Sequence, residues 1–359
     1  MGSKKTWLFI FLIAISLMLL AACGDDQGSS DGDSEGGSEN SEGGSGDLVI
    51  YTARDQTVVD EVIPLFEEEY PDINVEVLTM GAQQILERVR GEKTNPQADF
   101  WWGGTQSAFD TAVEEDLLQP YEPDFADAIP EEYKDPEGHW YGEIILPEVI
   151  MYNTDVLSKN EAPQDWDDLL DPKWEDEIII RGVLPSGTMR TIYSAMIYRQ
   201  DPEDPEAGYE WLSKLDANTK DYAQDPTNLY LKLARQEGTV SLWNLQDILL
   251  QKEQHNQPFG YVMPESGAPI LVDGVGVIKD AQNAENAELF SEFLFSPGIR
   301  SKLSEDFFQI PTRSDLEDEQ QPDWLKDLEM NQMDLDWQIM AENEMEWMEH
   351  WDQNIKNSN

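Results

Sequence analysis

The residues best placed to do chemistry in this chain are Ser186, Gly187 and Thr188. They form a turn ahead of an apolar run of helical spacing that continues to Arg199. Two hydroxyls beside the unpaired N–H groups of a helix start suit an anion, and the helix dipole adds to that preference. A serine at this point is also an ordinary helix cap, so the turn alone does not decide. Arginine points the same way, because a guanidinium makes paired hydrogen bonds to phosphate or carboxylate. Arg54 follows the first apolar segment, Arg181 ends a short buried strand, and Arg190 lies just after Thr188. Each could equally pair with one of the chain's many acids. Thr52, Gly103-Gly104-Thr105, Tyr152-Asn153, Trp243-Asn244 and Glu265-Ser266 are further rim candidates at the ends of predicted strands. The glycines would let backbone N–H groups approach a ligand closely. Glu265 could accept from an amine or a sugar hydroxyl, or simply face solvent. Trp101 and Trp102 point to opposite faces of an extended segment, so one is expected in the core and the other at the rim.

Catalytic constellations are missing from this set. The three histidines, His139, His255 and His350, are scattered. The body carries no Gly-x-Ser-x-Gly elbow, Walker A loop or His-Glu-x-x-His helix. One cysteine and three histidines do not make a Cys/His metal site. A secreted α/β enzyme is therefore the weaker class of reading, and no cofactor is expected.

These candidates need a scaffold, and the pattern around them supplies one. Leu48-Val49-Ile50-Tyr51 is a short apolar strand. Apolar residues from Val58 to Phe66 recur at helical spacing, 73–77 alternates as a second strand, and a helix around 82–91 leads to a third strand at 98–102. This β-α-β-α-β order predicts a mostly parallel sheet covered by helices. Ligands of such sheets bind beyond the carboxyl ends of the strands, here 51–54 and 102–105. A helix is predicted at 107–115, followed by apolar runs at 144–146 and 149–153. A Trp-rich helix and turn at 164–175 and the strand 178–181 come next. Helices from 188, at 205–215 and at 226–237, the strand 240–243 and a helix from 245 make a second α/β unit. The run 269–278 reads as an inner strand of the first unit, with helices at 283–295 and 297–305 after it. In 316–359, Met333, Trp337, Met340, Met348, Trp351 and Ile355 fall on one helical face, which predicts a helical segment packed on a lobe.

Ahead of this body lie two segments of other character. Residues 1–23 combine Lys4 and Lys5, an apolar run from Trp7 to Leu20, and Leu20-Ala21-Ala22-Cys23. The run is short for a membrane span and suits a signal peptide. Small residues before the chain's single cysteine read as a bacterial lipoprotein processing site, with Cys23 lipidated. Residues 24–47 are almost entirely Gly, Ser and acids, without an aliphatic side chain, the composition of a flexible tether. The whole chain of 359 residues has 74 acids against 23 bases, a formal charge of −51. That excludes nucleic acid as a partner, since phosphate backbones need clustered Lys and Arg. Such acidity suits a salt-rich medium, where dissolved ions screen self-repulsion.

Taken together, several stretches resemble bacterial extracellular solute-binding proteins, the ligand receptors of ABC importers. The specific similarity is to the family 1 group that includes ferric-iron and organophosphate or phosphonate receptors. It is carried by 49–54, 98–104, 149–157, 166–174, Ser186-Gly187-Thr188 and 264–278, and covers nearly all of 48–315. The resemblance implies a two-lobe α/β fold of the periplasmic-binding-protein type II class. Each lobe would be a mixed, mostly parallel sheet flanked by helices, joined by a hinge of crossing strands. Lobe 1 would comprise 48–150 and 268–315, and lobe 2 would comprise 151–267. It also implies a monomer that closes on its ligand, contacts it through the 186–188 turn, and docks on a membrane permease. Gram-positive members are usually lipoproteins, so the chain is expected at the outer face of the cell membrane. A phosphorylated or phosphonate solute is the expected ligand. The iron alternative would call for adjacent tyrosines, whereas Tyr193 and Tyr198 are five apart on different helix faces and Arg54 would repel a cation.

Overall fold

A computed structural model describes residues 44–356. The lipidation cysteine Cys23, the signal peptide and most of the tether lie outside the described residues. The first strand starts at Gly46, so the last two tether residues belong to the sheet.

The first unit runs β1 (Gly46–Thr52), α1 (Gln56–Glu69), β2 (Ile73–Thr79), α2 (Ala82–Glu92), β3 (Phe100–Thr105), α3 (Gln106–Glu114) and the short β4 (Leu118–Gln119). β1 pairs in parallel with both β2 and β3. Period-two alternation splits its side chains between two cores. Tyr51 and Trp101 face one, and Ile50, Phe100 and Trp102 face the other, with Phe66 and Phe290.

The long strand β5 (Tyr141–Asn153) carries the chain across. The sequence suggested two separate runs here; the structure shows one thirteen-residue strand that changes partners midway. The second unit follows as β6 (Ile178–Arg181), α4 (Gly187–Tyr198), α5 (Glu206–Asn218), β7 (Thr219–Ala223), α6 (Pro226–Ala234), β8 (Val240–Asn244), α7 (Leu245–Glu253) and β9 (Phe259–Val262). The chain returns through β10 (Ile270–Ile278), then α8 (Ala284–Phe295), α9 (Pro297–Phe307), β11 (Ile310–Pro311), α10 (Asp323–Lys326) and α11 (Trp337–Asn354). Residues 141–147 of β5 pair with β10, and 148–152 pair with β8. The partner change therefore falls at Pro147-Glu148 rather than at 150–151. Proline has no N–H to give a ladder, so it fits the point where one sheet ends and the next begins. The resulting order is β2-β1-β3-β10-β5-β8-β6-β7, parallel within each flank and antiparallel around β5. This is a periplasmic-binding-protein type II fold.

The Trp-rich stretch near 170 forms two short 3-10 turns, 166–170 and 172–174, rather than an α-helix. In the C-terminal segment, α11 packs on α4 of the second lobe. Trp347, Met348 and Trp351 are buried there, and Tyr193 meets Trp351 edge-on. Met333 is buried too, but it precedes the helix and is held by an N–H bond to Ala268.

Candidate functional site

The two lobes enclose a cleft of about 850 Å³. On the first lobe its wall is Arg54, Asp55, Gln56 and Asp273; on the second it is Pro226, Thr227 and Tyr230 of α6, Asn244 at the end of β8, and Gln246 and Asp247 of α7. Thus the first turns of α1, α6 and α7 all open into one space. Local sequence sets each of these starts. Asp55 caps α1 by accepting from the Thr57 N–H, Asp225 caps α6 ahead of Pro226, and Asn244 caps α7 by accepting from the Asp247 N–H at 2.8 Å. Helix starts leave backbone N–H groups unpaired and carry partial positive charge, which favours an anion.

Arg54 sits at the floor of the cleft but is already engaged. The Thr52 hydroxyl, which donates to the Trp102 carbonyl, accepts the Arg54 N–H and turns the chain inward. The guanidinium then meets Glu143 at 2.5 Å and Asp273 at 2.6 Å. Glu143 is fully buried and also faces Arg300 at 2.7 Å and the Trp102 indole at 2.8 Å. Burial opposes its charge, yet the two arginines hold its carboxyl below the usual range. Asp273 is pushed upward by burial despite Arg54, and it also takes the Gly104 N–H. Two bases and two acids cancel, so this cluster shapes the floor without leaving a net cation for ligand.

Arg181 is different. It is half-buried, its Nε, like that of Arg54, has no partner, and its only side-chain hydrogen bond among the described residues runs to the neighbouring Gly182 carbonyl. It takes part in no ion pair among the described residues. Burial lowers its pKa, countered by Asp225, the cap of α6, and by Tyr230 of the cleft wall. It is thus a cation held close to the lining with its guanidinium largely unclaimed.

Asp247 completes the second wall, and a second carboxyl, Glu148, lies behind it. The Asp247 Oδ2 accepts from the Tyr230 hydroxyl at 3.0 Å, the Trp243 indole at 2.9 Å and the Asn244 amide at 3.1 Å. Glu148 is fully buried at the strand switch, opposite Asn244 in register. Burial pushes its carboxyl well above the ordinary range.

The structure divides the residues that the sequence singled out. Arg54 and Asn244 line the cleft. Arg181 adjoins it. The Ser186-Gly187-Thr188 turn does not line this cleft: Ser186 caps its own helix, accepting from Met189, and Gly187 meets the other lobe. A Cβ on Gly187 would lie 2.9 Å from the Thr105 methyl, so glycine permits this contact between lobes. Thr105 and Gly187 instead border a smaller groove of about 160 Å³ with Arg190, whose guanidinium pairs with Glu344 of α11. Thr188 neighbours Glu148. Thr52 and Gly104 are buried structural residues. Trp243 is buried as a support for Asp247. Tyr152 is also buried, its ring so close to Gly260 that a Cβ there would be 2.5 Å away. Glu265 is exposed in a turn tied to Gln164 and Asn331. Neither Trp101 nor Trp102 reaches the cleft; both are fully buried, on opposite faces. Sequence reasoning missed Glu143, Glu148, Tyr230, Asp247 and Asp273. A signal existed for three of them: a lone acid inside an otherwise apolar strand must be answered by something.

A two-lobed α/β body with hinge strands and an interlobe cleft defines a ligand-capturing receptor rather than a catalyst. Residues 97–343 match the family model for bacterial extracellular solute-binding protein. The chain belongs to that family, the substrate-binding receptors of ABC transporters. It is 27% identical over 252 residues to a putative 2-aminoethylphosphonate-binding periplasmic protein of Salmonella typhimurium, covering 68% of this chain and 71% of the other. Iron uptake protein A1 of Synechocystis is 26% identical over 327 residues, 86% of each chain. The periplasmic binding protein AfuA of Actinobacillus pleuropneumoniae, solved with exogenous fructose-6-phosphate bound, superposes with a TM-score of 0.75 at 28% identity, covering 87% of this chain and 99% of that one.

Proposed function

We propose that this receptor captures a small organic phosphate or phosphonate in the interlobe cleft and delivers it to its ABC permease. The observation that carries the reading is the convergence of the first turns of α1, α6 and α7 on one cleft, with the unclaimed Arg181 guanidinium beside it. The phosphonate-binding and fructose-6-phosphate-bound relatives support the same chemistry. The iron-uptake relative points elsewhere, but the tyrosines are poorly placed for iron. Tyr193 is packed in the core, and the lining tyrosine, Tyr230, donates to Asp247. The test is thermal unfolding of the full chain with 2-aminoethylphosphonate, fructose 6-phosphate, inorganic phosphate or ferric citrate. A ligand at about 100 times its Kd adds roughly 2.7 kcal/mol. Stabilisation by a phosphorus compound is expected; stabilisation by ferric citrate alone would refute the reading.

The same proposal places the protein at the outer face of a Gram-positive membrane, held by lipidated Cys23 through the tether, in a saline medium. No helix among the described residues is long and apolar enough to cross a membrane. Replacing Cys23 with serine is expected to release the protein into the growth medium. Cell-associated Cys23→Ser protein in a fractionation experiment would contradict the anchor.

A further inference from the structure

Asp247 in the cleft lining and Glu148 just behind it are two carboxyls that no base answers among the described residues. Glu148 shares a strand face with Leu146, which lines the cleft, and its register partner Asn244 lines it too. It is 0% exposed, and neither carboxyl oxygen has a hydrogen-bond partner. The Thr188 hydroxyl is close enough to offset part of the burial effect but lacks hydrogen-bonding geometry. Asp247 adds like charge to Glu148, and Asp55 adds like charge to Asp247. Three donors fix the Oδ2 of Asp247, and none of the three is a cation. None of these three acids is in an ion pair among the described residues, and the nearby Arg54 is held by Glu143 and Asp273. Nor do the described residues contain a group of three Asp, Glu, His or Cys that could hold a metal.

Buried polar groups are almost always partnered, and an unpartnered one calls for an explanation. A neutral hydroxyl could fill a hydrogen bond but would give neither carboxylate a counter-charge. A primary ammonium brings three donors and one positive charge, which answers both the empty oxygens and the charge. We propose that Glu148 and Asp247 form a subsite for a primary ammonium group, so that the captured solute carries an amine at the end opposite its anion. The lobes touch at Gly187 and Thr105, one residue from Thr188, the neighbour of Glu148. The anionic end rests on the function proposed above; the ammonium end does not.

The experiment is calorimetric titration of the full chain with 2-aminoethylphosphonate and with n-propylphosphonate, which keeps the anion and puts a methyl where the amine was. Ethanolamine and putrescine serve as phosphorus-free amines. The aminophosphonate is expected to bind about tenfold or more tightly than the propyl compound, and Glu148→Gln to bring that ratio near unity. Asp247→Asn is the second variant and is expected to do the same. Equal affinity for the two phosphonates, or a preference that survives both substitutions, overturns the subsite. If neither phosphonate binds but a phosphorus-free amine binds the native chain and not Glu148→Gln, the subsite stands and the phosphonate reading falls. If no amine of either kind binds, the subsite is overturned.

Discussion

Glu143 and Glu148 lie on the same strand, are equally buried, and have opposite fates. Glu143 is answered by Arg54 and Arg300, and its carboxyl stays ionised below the usual range. Glu148 meets no cation among the described residues, and burial drives its carboxyl upward. Removing one member of a buried ion-pair cluster leaves its partner uncompensated, at a cost of about 3–5 kcal/mol. Glu143→Gln is therefore expected to lower the unfolding free energy by about that amount at pH 7, because Arg300 is 1% exposed and keeps its charge. The sign with pH follows from the lowered folded-state pKa. The native contribution is complete above the unfolded carboxylate value and is lost as pH falls through the folded one. Urea denaturation should show the gap between native and Glu143→Gln protein closing at low pH. A gap that widened with acid would mean that Glu143 is not the ionised partner.

Elements were legible in the sequence wherever a period was strong. The β-α-β-α-β order of residues 46–105 follows from alternation in 73–77 and from helical spacing in 58–66. β7 was not legible, because Thr219-Lys220-Asp221-Tyr222-Ala223 has no apolar alternation; it is made a strand by parallel pairing with β6. β5 read as two runs because Pro147-Glu148 interrupts the apolar pattern, and that interruption is the switch between lobes. The site was half legible for a related reason. A strand end or helix cap can be placed from local residues, which located Arg54, Arg181 and Asn244. What each side chain finds opposite it depends on contacts far apart in the chain, such as Arg54 with Asp273 or Trp243 and Tyr230 with Asp247. Local spacing carries no record of those. The 186–188 turn shows the limit: its chemistry was read correctly as a helix start, but its neighbour is Thr105 of the other lobe rather than the open cleft.

At the scale of the whole molecule the acidity sets a sign that can be measured. The chain's formal charge is −51, and its acidic body carries a cleft proposed to bind an anion. The long-range field therefore opposes the ligand, while the helix starts and Arg181 favour it at close range. Salt separates the two contributions by distance. The Debye length falls from about 10 Å at 0.1 M to about 3 Å at 1 M, whereas contacts inside a partly enclosed cleft are screened much less. Most anion sites weaken as salt rises, because their attraction is the part that is screened. Here repulsion is the part exposed to screening, so affinity for a phosphonate should rise between about 0.1 and 1 M NaCl, by roughly threefold or more. Unfolding temperature should rise over the same range, since the body also repels itself. Titrations at several NaCl concentrations decide the matter. Affinity that falls with salt while stability rises would show that the close-range attraction, and not the field of the acidic surface, governs capture.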